Sequence, residues 1–291
     1  MKFETDSLAK PENDKLNRNF LAQRIAEHLN GHWSHSSEGI SIAITGEWGS
    51  GKSTMVDYIS QAAKSQNSFL KAHYFSPWIF QKNGSIREII LIELAKFFND
   101  LGTKGESISK EIQKLIKPFA WIKKMNASAE FIYEFIEHSN NFFAEDKSLV
   151  EIKNRIDNVL SKNENYYLVI IDDVDRLNKD QVIELFQTIS MVSNFSRVIY
   201  IVAYDREIIT NLLQLEYGNR AQDFLEKIFL VEFNLPKIRK EVMQNIFFQN
   251  ITQLEQLNEL EFDRKVLESI WNYGGLKNYF NNYRDIKRYI I

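Results

Sequence analysis

The sequence predicts an α/β fold: a parallel sheet covered by helices on both faces, followed by a small helical lid. Three observations carry this. Short, nearly continuous apolar runs alternate with helix-length segments, the pattern of strands buried on both sides. A glycine-rich turn joins the first of these runs to a helix, and five of the eleven glycines lie between Gly31 and Gly51. From Pro236 onward no strand pattern remains.

The elements follow in order. A helix is expected over about Asn13–Leu29, with Leu16, Phe20, Leu21, Ile25 and Leu29 largely on one face. Ile40–Thr45 reads as a short apolar strand, and a helix begins at Gly51 and runs to about Ser65. Phe69–Phe75 is the second strand. Helices follow near Ser85–Asp100, across Ser107–Asn141 and over Ser148–Ser161. Tyr166–Ile171 is a continuous apolar strand that ends in Asp172 and Asp173. A helix over Lys179–Val192 leads to the strand Arg197–Ala203, and Phe229–Phe233 is the fifth strand. The expected organisation is a core over 1–235, with a helical insertion at about 102–162, and a helical lid over 236–291. The last residues, Asp285–Ile291, form a helix-like apolar run without a cap or polar tail, so a longer natural chain is expected.

Composition narrows the function. The 291 residues are 44% hydrophobic and 26% charged, which excludes disorder as the main state. A net charge of -3 disfavours a strongly basic nucleic-acid binder. The absence of Cys removes disulfides, thiolate zinc sites and cysteine nucleophiles, and fits a reducing, cytoplasmic setting. The polar start MKFETDSLAKPENDK lacks the apolar centre of a signal peptide, and no stretch approaches the roughly 20 apolar residues of a membrane span.

The loop Gly46-Glu-Trp-Gly-Ser-Gly-Lys-Ser53, followed by Thr54, satisfies G-x-x-x-x-G-K-[ST] between a strand and a helix. A polyphosphate needs many donors converging on a small volume. Gly46, Gly49 and Gly51 let the backbone curl its N–H groups inward, with Glu47, Trp48 and Ser50 between them, and the helix N-terminus adds favourable partial charge. Lys52 is then placed to reach the β- and γ-phosphates, and Ser53 to offer a hydroxyl to Mg²⁺. Lys52→Ala is accordingly expected to weaken nucleotide binding and leave the fold intact.

The acids at the end of Leu168-Val-Ile-Ile-Asp-Asp173 fall where parallel sheets bind ligands. Asp172 is the candidate Mg²⁺ ligand, through water, and Asp173 the group that orients or deprotonates an attacking water. The cofactors implied are ATP and Mg²⁺. GTP is disfavoured, because no guanine-reading Asn-Lys-x-Asp is present; Asn178-Lys-Asp does not meet that pattern.

These motifs, taken in order, resemble the KAP family of P-loop NTPases, in the additional-strand division of that fold. The loop carries that family's Glu47-Trp48 insertion. Phe75-Ser-Pro-Trp78 looks like its Asn-x-Trp element, with Ser76 where Asn is usual. Ile171-Asp-Asp-Val-Asp-Arg176 is similar to its extended acidic motif, and Ile201-Val-Ala-Tyr-Asp-Arg-Glu207 to its strand ending in Asp-Arg. The segment Leu225–Pro236 is similar to the one entering the lid, and Asn282-Tyr-Arg-Asp-Ile-Lys-Arg288 to a late Asn-Pro-Arg-x-x-Lys-Arg element, with Tyr283 replacing Pro. The resemblance implies a three-layer P-loop NTPase core and a switch in signalling or phage defence. One departure matters. Many members carry transmembrane helices between loop and acids, whereas Pro118–Phe143 is interrupted by Lys123, Lys124, Glu130, Glu134 and Glu137. Membrane association is therefore not carried over. The aromatic helix around Phe131, Phe135, Phe142 and Phe143 reads first as a packing face and second as a docking face.

Arg176, Arg206 and Arg284 are the candidate sensors of γ-phosphate charge, with Lys227 a weaker one. For each of them a structural ion pair is the competing reading, and Arg176 has Asp172, Asp173 and Asp175 at hand. His28, His32 and His35 read as solvated imidazoles at a helix end and in a Gly31–Ser37 turn rather than as a metal site. The groups Lys237, Arg239, Lys240 and Arg284, Lys287, Arg288 are short, so a solvated face or subunit contact is favoured over nucleic acid. The function expected is Mg²⁺-dependent ATP hydrolysis driving a conformational or assembly switch, in a homo-oligomer or with an effector protein. A non-hydrolysing nucleotide scaffold and a DNA-processing motor subunit are the alternatives.

Overall fold

The computed structural model describes residues 14–80, 85–119, 147–258, 261 and 263–290. The described strands form one five-stranded sheet, all parallel: β1 (Ile40–Thr45), β2 (Leu70–Phe75), β3 (Tyr166–Ile171), β4 (Val198–Tyr204) and β5 (Val231–Asn234). Their order is β2-β3-β4-β1-β5, so β4 is inserted between the strand that leads into the glycine-rich loop and the strand that ends in the acids. That inserted strand is what defines the additional-strand arrangement.

The sheet is buried from both sides because successive side chains point to opposite faces. Leu168, Ile170, Ile199, Ile201 and Ala203 pack with Ile42 and Ile44 against α1 (Arg18–His35) and α2 (Lys52–Gln66). Val169, Ile171, Val198, Tyr200, Val202 and Tyr204 face the other way. Against that face lie α3 (Ile86–Asn99), α4 (Thr103–Phe119), α5 (Lys147–Ser161), α6 (Lys179–Val192), α7 (Arg206–Tyr217) and α8 (Ala221–Ile228). Every residue of β4 is buried, as a central strand requires.

After Pro236 come α9 (Lys240–Asn258), α10 (Arg264–Asn272), the single turn α11 (Leu276–Tyr279) and α12 (Tyr283–Ile290). They enclose their own core of Met243, Ile246, Phe247, Trp271, Phe280 and Ile286, in which the Trp271 and Phe280 rings stack at 5.7 Å.

Several boundaries differ from the sequence reading. The first helix starts at Arg18, not Asn13, because the Asp14 carboxylate accepts the amides of Leu16 and Asn19 and Asn17 is left-handed. It continues through Gly31 to His35, so the first part of the expected Gly31–Ser37 turn is helix instead and the chain leaves it at Ser36. There His32 Nε2 bonds the Glu38 carbonyl and His35 Nδ1 the Gly31 carbonyl. Among the described residues no three His, Cys, Asp or Glu side chains gather as a metal site. The fifth strand begins two residues later than expected, because Phe229 closes α8 by donating its N–H to the Leu225 carbonyl and is buried in the helical layer. Of the long helix expected over Ser107–Asn141, the part to Phe119 is α4; the rest, with Phe131, Phe135, Phe142 and Phe143, lies outside the described residues. No helix of the described residues is long and apolar enough to cross a membrane.

Candidate nucleotide site

The site is built where strand ends meet. β1 ends at Thr45, the loop turns through Gly46–Gly51, and α2 starts at Lys52. Gly49 and Gly51 have φ of 78° and 92°, a left-handed backbone that costs other L-residues about 1–2 kcal/mol. The resulting turn bonds Ser50 N–H to the Glu47 carbonyl at 3.1 Å and leaves the first turn of α2 aimed into the cleft.

Lys52 is almost buried at 9% exposure, and its ammonium has two carbonyl acceptors and one ion-pair partner. It donates to the carbonyls of Gly46 at 2.9 Å and Glu47 at 3.4 Å, and pairs with Asp175 Oδ2 at 3.2 Å. Asp175 itself is 3% exposed. An ammonium carries three donors, so these acceptors occupy the places that phosphate oxygens would take. A cradle of glycine backbone with a satisfied but exchangeable lysine fits a polyphosphate.

Asp172 lies at the end of β3, bonded to the Ser53 hydroxyl and accepting the Asp173 amide at 2.8 Å. Burial pushes its carboxyl above the usual carboxylate range, against the lowering effect of those two bonds and of Lys52. A buried carboxylate beside a hydroxyl is a donor set that suits a hard divalent cation.

Asp173 sits at φ 59°, a strained conformation for a residue with a side chain. Both of its oxygens have partners: Ser76 Oγ donates to Oδ2 at 3.1 Å, and Arg176 Nε pairs with Oδ1 at 2.8 Å. Of the three acids at hand, Arg176 thus has an ion pair with Asp173. Its guanidinium lies against two indoles, 4.9 Å from the Trp78 ring and 5.0 Å from the Trp48 ring.

Lys52, Ser53, Thr54, Asp172, Asp173 and Arg176 line one cleft of about 540 Å³, and Tyr283, Arg284, Lys287 and Arg288 of α12 close it from the lid side. The Arg284 guanidinium is 5.8 Å from the Trp48 ring. The Asn282 carboxamide caps α12 by accepting the Asp285 amide, and a Cβ on Gly49 would stand 2.7 Å from it, so lid and loop are in direct contact. The Asp285 carboxylate accepts the amides of Asn281 and Asn282.

Arg206 is not brought into this cleft. Its Nη1 donates to Glu232 Oε1 at 3.1 Å, and it lines a second cleft of about 850 Å³ on the other side of the loop, with Glu47 and Asp205. Glu47 is ion-paired there with Lys237. Lys227 lies in the last turn of α8, outside both clefts.

Three contributors are not among the site residues expected from the sequence. Arg18, buried at the start of α1, donates from Nη2 to the carbonyls of Ser50 at 3.4 Å and Pro236 at 3.0 Å, tying loop to lid. Burial pulls its guanidinium below the ordinary arginine value, opposed by Asp14. Asp175 and Trp78 complete the set. Both belong to motifs visible in the sequence, whereas nothing there marks Arg18.

A five-stranded parallel sheet with an inserted strand, a G-x-x-x-x-G-K-S loop and a strand-end acid pair define a P-loop NTPase. The profile described as "KAP family P-loop domain" matches residues 18–291, so the chain belongs to that family. It is similar to the phage T7 exclusion protein of Escherichia coli K12, 27% identical over 246 residues, which cover 74% of this chain and 32% of that protein. The match thus spans about a third of that relative's length. Among solved structures it is similar to the ORC2 protein of Aeropyrum pernix, at 15% identity and TM-score 0.49, over 99% of this chain and 63% of that one. It is also similar to a Walker-type ATPase of Pyrococcus abyssi, at 13% identity and TM-score 0.45, over 96% and 69%. The strand order itself, not these distant likenesses, defines the fold.

Proposed function

We propose that the chain is a Mg²⁺-dependent ATPase whose nucleotide state sets the position of its helical lid. The observation that carries this is the convergence of loop, acids and α12 on one cleft. In this reading Gly46–Thr54 hold the phosphates, and Lys52 exchanges Asp175 for phosphate oxygens. Ser53 and Asp172 hold Mg²⁺, which when bound neutralises charge on the β- and γ-phosphates. Asp173 orients the attacking water and takes its proton as the bond to the leaving diphosphate breaks. Arg284 reaches the γ-phosphate from the lid, so that ATP and ADP hold α12 differently. The likeness to a phage exclusion protein supports a role in phage defence, in which lid movement is passed to an effector or a second copy.

A second reading, a scaffold that binds nucleotide without turnover, is favoured by one observation: both oxygens of Asp173 already have partners in Ser76 and Arg176. The deciding experiment is ATP turnover against protein concentration, with and without Mg²⁺ and DNA. Turnover that needs Mg²⁺ supports the ATPase. A rise in specific activity with concentration places the active site between subunits. Stimulation by DNA favours a motor subunit, and tight binding without turnover favours the scaffold.

A further inference from the structure

Three strand ends contribute one residue each to a single stack. Trp48 comes from the loop after β1, Trp78 from the 3-10 turn Pro77–Phe80 after β2, and Arg176 from the 3-10 turn Val174–Arg176 after β3. The two indoles are 46% and 42% exposed, so burial in the apolar core is not what holds them there. What they share is the guanidinium, with one indole 5.0 Å and the other 4.9 Å from it. Cations are attracted to the faces of indoles, and a planar guanidinium stacks on them. With both rings against it, the Arg176 guanidinium is held in place, and its Nε is ion-paired with Asp173 Oδ1 at 2.8 Å.

The same short turn is tied to the phosphate loop twice. Trp48, on the loop, lies against Arg176. Lys52, at the loop's end, pairs with Asp175, the neighbour of Arg176. Phosphates entering the loop would compete for Lys52 and contact the segment that carries Trp48, and so would act on both ties at once. Asp173 lies at the beginning of this turn in a left-handed conformation, which Asp adopts more readily than most side-chain-bearing residues. Its carboxylate position depends on what holds the turn.

We propose that Trp48 and Trp78 clamp Arg176, that the clamped arginine positions the Asp173 carboxylate, and that loop occupancy resets this position through Trp48 and Lys52. This rests on the reading of the cleft as an ATPase site and assigns it two positioning residues, Trp78 and Arg176, and a relay, Trp48. It also separates the arginines: Arg176 acts on the acid, leaving the γ-phosphate to Arg284.

The test uses the full chain. Trp78→Ala removes one face of the clamp without touching the loop, and Trp78→Phe keeps a ring there. ATP-analogue affinity is measured by calorimetry, turnover under saturating Mg²⁺–ATP, and indole emission during nucleotide titration. Trp78→Ala should keep affinity within about twofold and lose about tenfold or more in kcat, part of the range carried by a positioned general base. Trp78→Phe should recover most of that loss. Nucleotide should change the indole emission of the wild type, and Arg176→Ala should shrink that change. Wild-type kcat in Trp78→Ala, or a loss of affinity that matches the loss of kcat/KM, would overturn the positioning role. Indole emission unmoved by nucleotide that calorimetry shows to be bound would overturn the relay. If the wild type binds nucleotide but does not turn over, the ATPase reading fails, while the emission experiment still decides whether the loop and the clamp communicate.

Discussion

Lys52→Ala is a natural test of the loop, and the structure changes half of what the sequence predicts for it. The sequence leads to weaker nucleotide binding in an intact fold. In the structure Lys52 is the partner of Asp175, whose side chain is 3% exposed, at 3.2 Å. At that distance and an effective dielectric of about 20 the attraction is about 5 kcal/mol. Removing one member of a buried pair leaves the other charge uncompensated and costs about 3–5 kcal/mol. Ala also abandons the bonds to the Gly46 and Glu47 carbonyls, which water can replace at the edge of the cleft. Taking about 3 kcal/mol, and about 2–4 °C per kcal/mol for a chain of this size, the midpoint of thermal unfolding should fall by about 6–12 °C. Lys52→Ala combined with Asp175→Asn should regain most of that loss, because the stranded carboxylate has gone, while nucleotide affinity stays low. Thermal unfolding of wild type, both single variants and the double variant, without nucleotide, measures the coupling. An unchanged midpoint in Lys52→Ala, or a double variant no more stable than the single one, would refute the reasoning.

Asp173→Asn should keep Mg²⁺–ATP affinity near wild type while turnover falls by about a hundredfold or more, because the metal-binding carboxylate remains and the water-activating one does not; calorimetry and a phosphate-release assay separate the two. Gly49→Ala combines a left-handed φ of 78° with a Cβ 2.7 Å from the Asn282 carboxamide, and should lift the lid from the loop. Hydrogen exchange over 281–290 should then rise by about tenfold, corresponding to a cost of about 1–2 kcal/mol. Arg284→Ala should erase the difference in hydrogen exchange over 236–290 between ATP-analogue and ADP states, with ADP affinity nearly unchanged. His73, on β2, stacks on Phe97 at 5.0 Å, and burial holds its pKa below the ordinary histidine value despite Glu93 at 3.8 Å. A lowered folded-state pKa gives stability that is present above the ordinary histidine value of about 6.5 and lost as pH falls through the folded value. His73→Phe should lack that acid-side loss in unfolding midpoints measured from pH 7.5 downward.

How much of this was legible in the sequence depends on whether the signal was local. β1 and β3 are contiguous apolar runs with polar boundaries, and the expected spans Ile40–Thr45 and Tyr166–Ile171 are those observed. The end of α1 was misplaced because Gly31 reads as a helix stop, whereas a helix held by Ala26, Leu29 and Trp33 on the sheet tolerates it. The loop and the acids were visible as motifs because both their chemistry and their spacing are local. The pairing within the site was not. Which acid Arg176 chooses depends on the left-handed turn at Asp173, and the Lys52–Asp175 pair joins residues far apart in the chain. Arg206 illustrates the reverse case: an arginine at a strand end suggests a phosphate contact, but Glu232 on β5, one strand beyond β1, holds it in the second cleft.

The inserted strand has a further consequence. β1 and β3 are two strand steps apart, and each step is about 4.8 Å wide, so about 9.6 Å of backbone separates the grip on the phosphates from the acids. Main-chain hydrogen bonding sets that width, with β4 as a spacer buried on both sides. The gauge of the cleft is therefore fixed independently of the lid. Side chains around its mouth can be exchanged, and α12 can open or close, without altering it. Only a change in the pairing of β4 with β1 and β3 would alter the gauge, from deep within the protein and away from the cleft itself. Dimension belongs to the sheet.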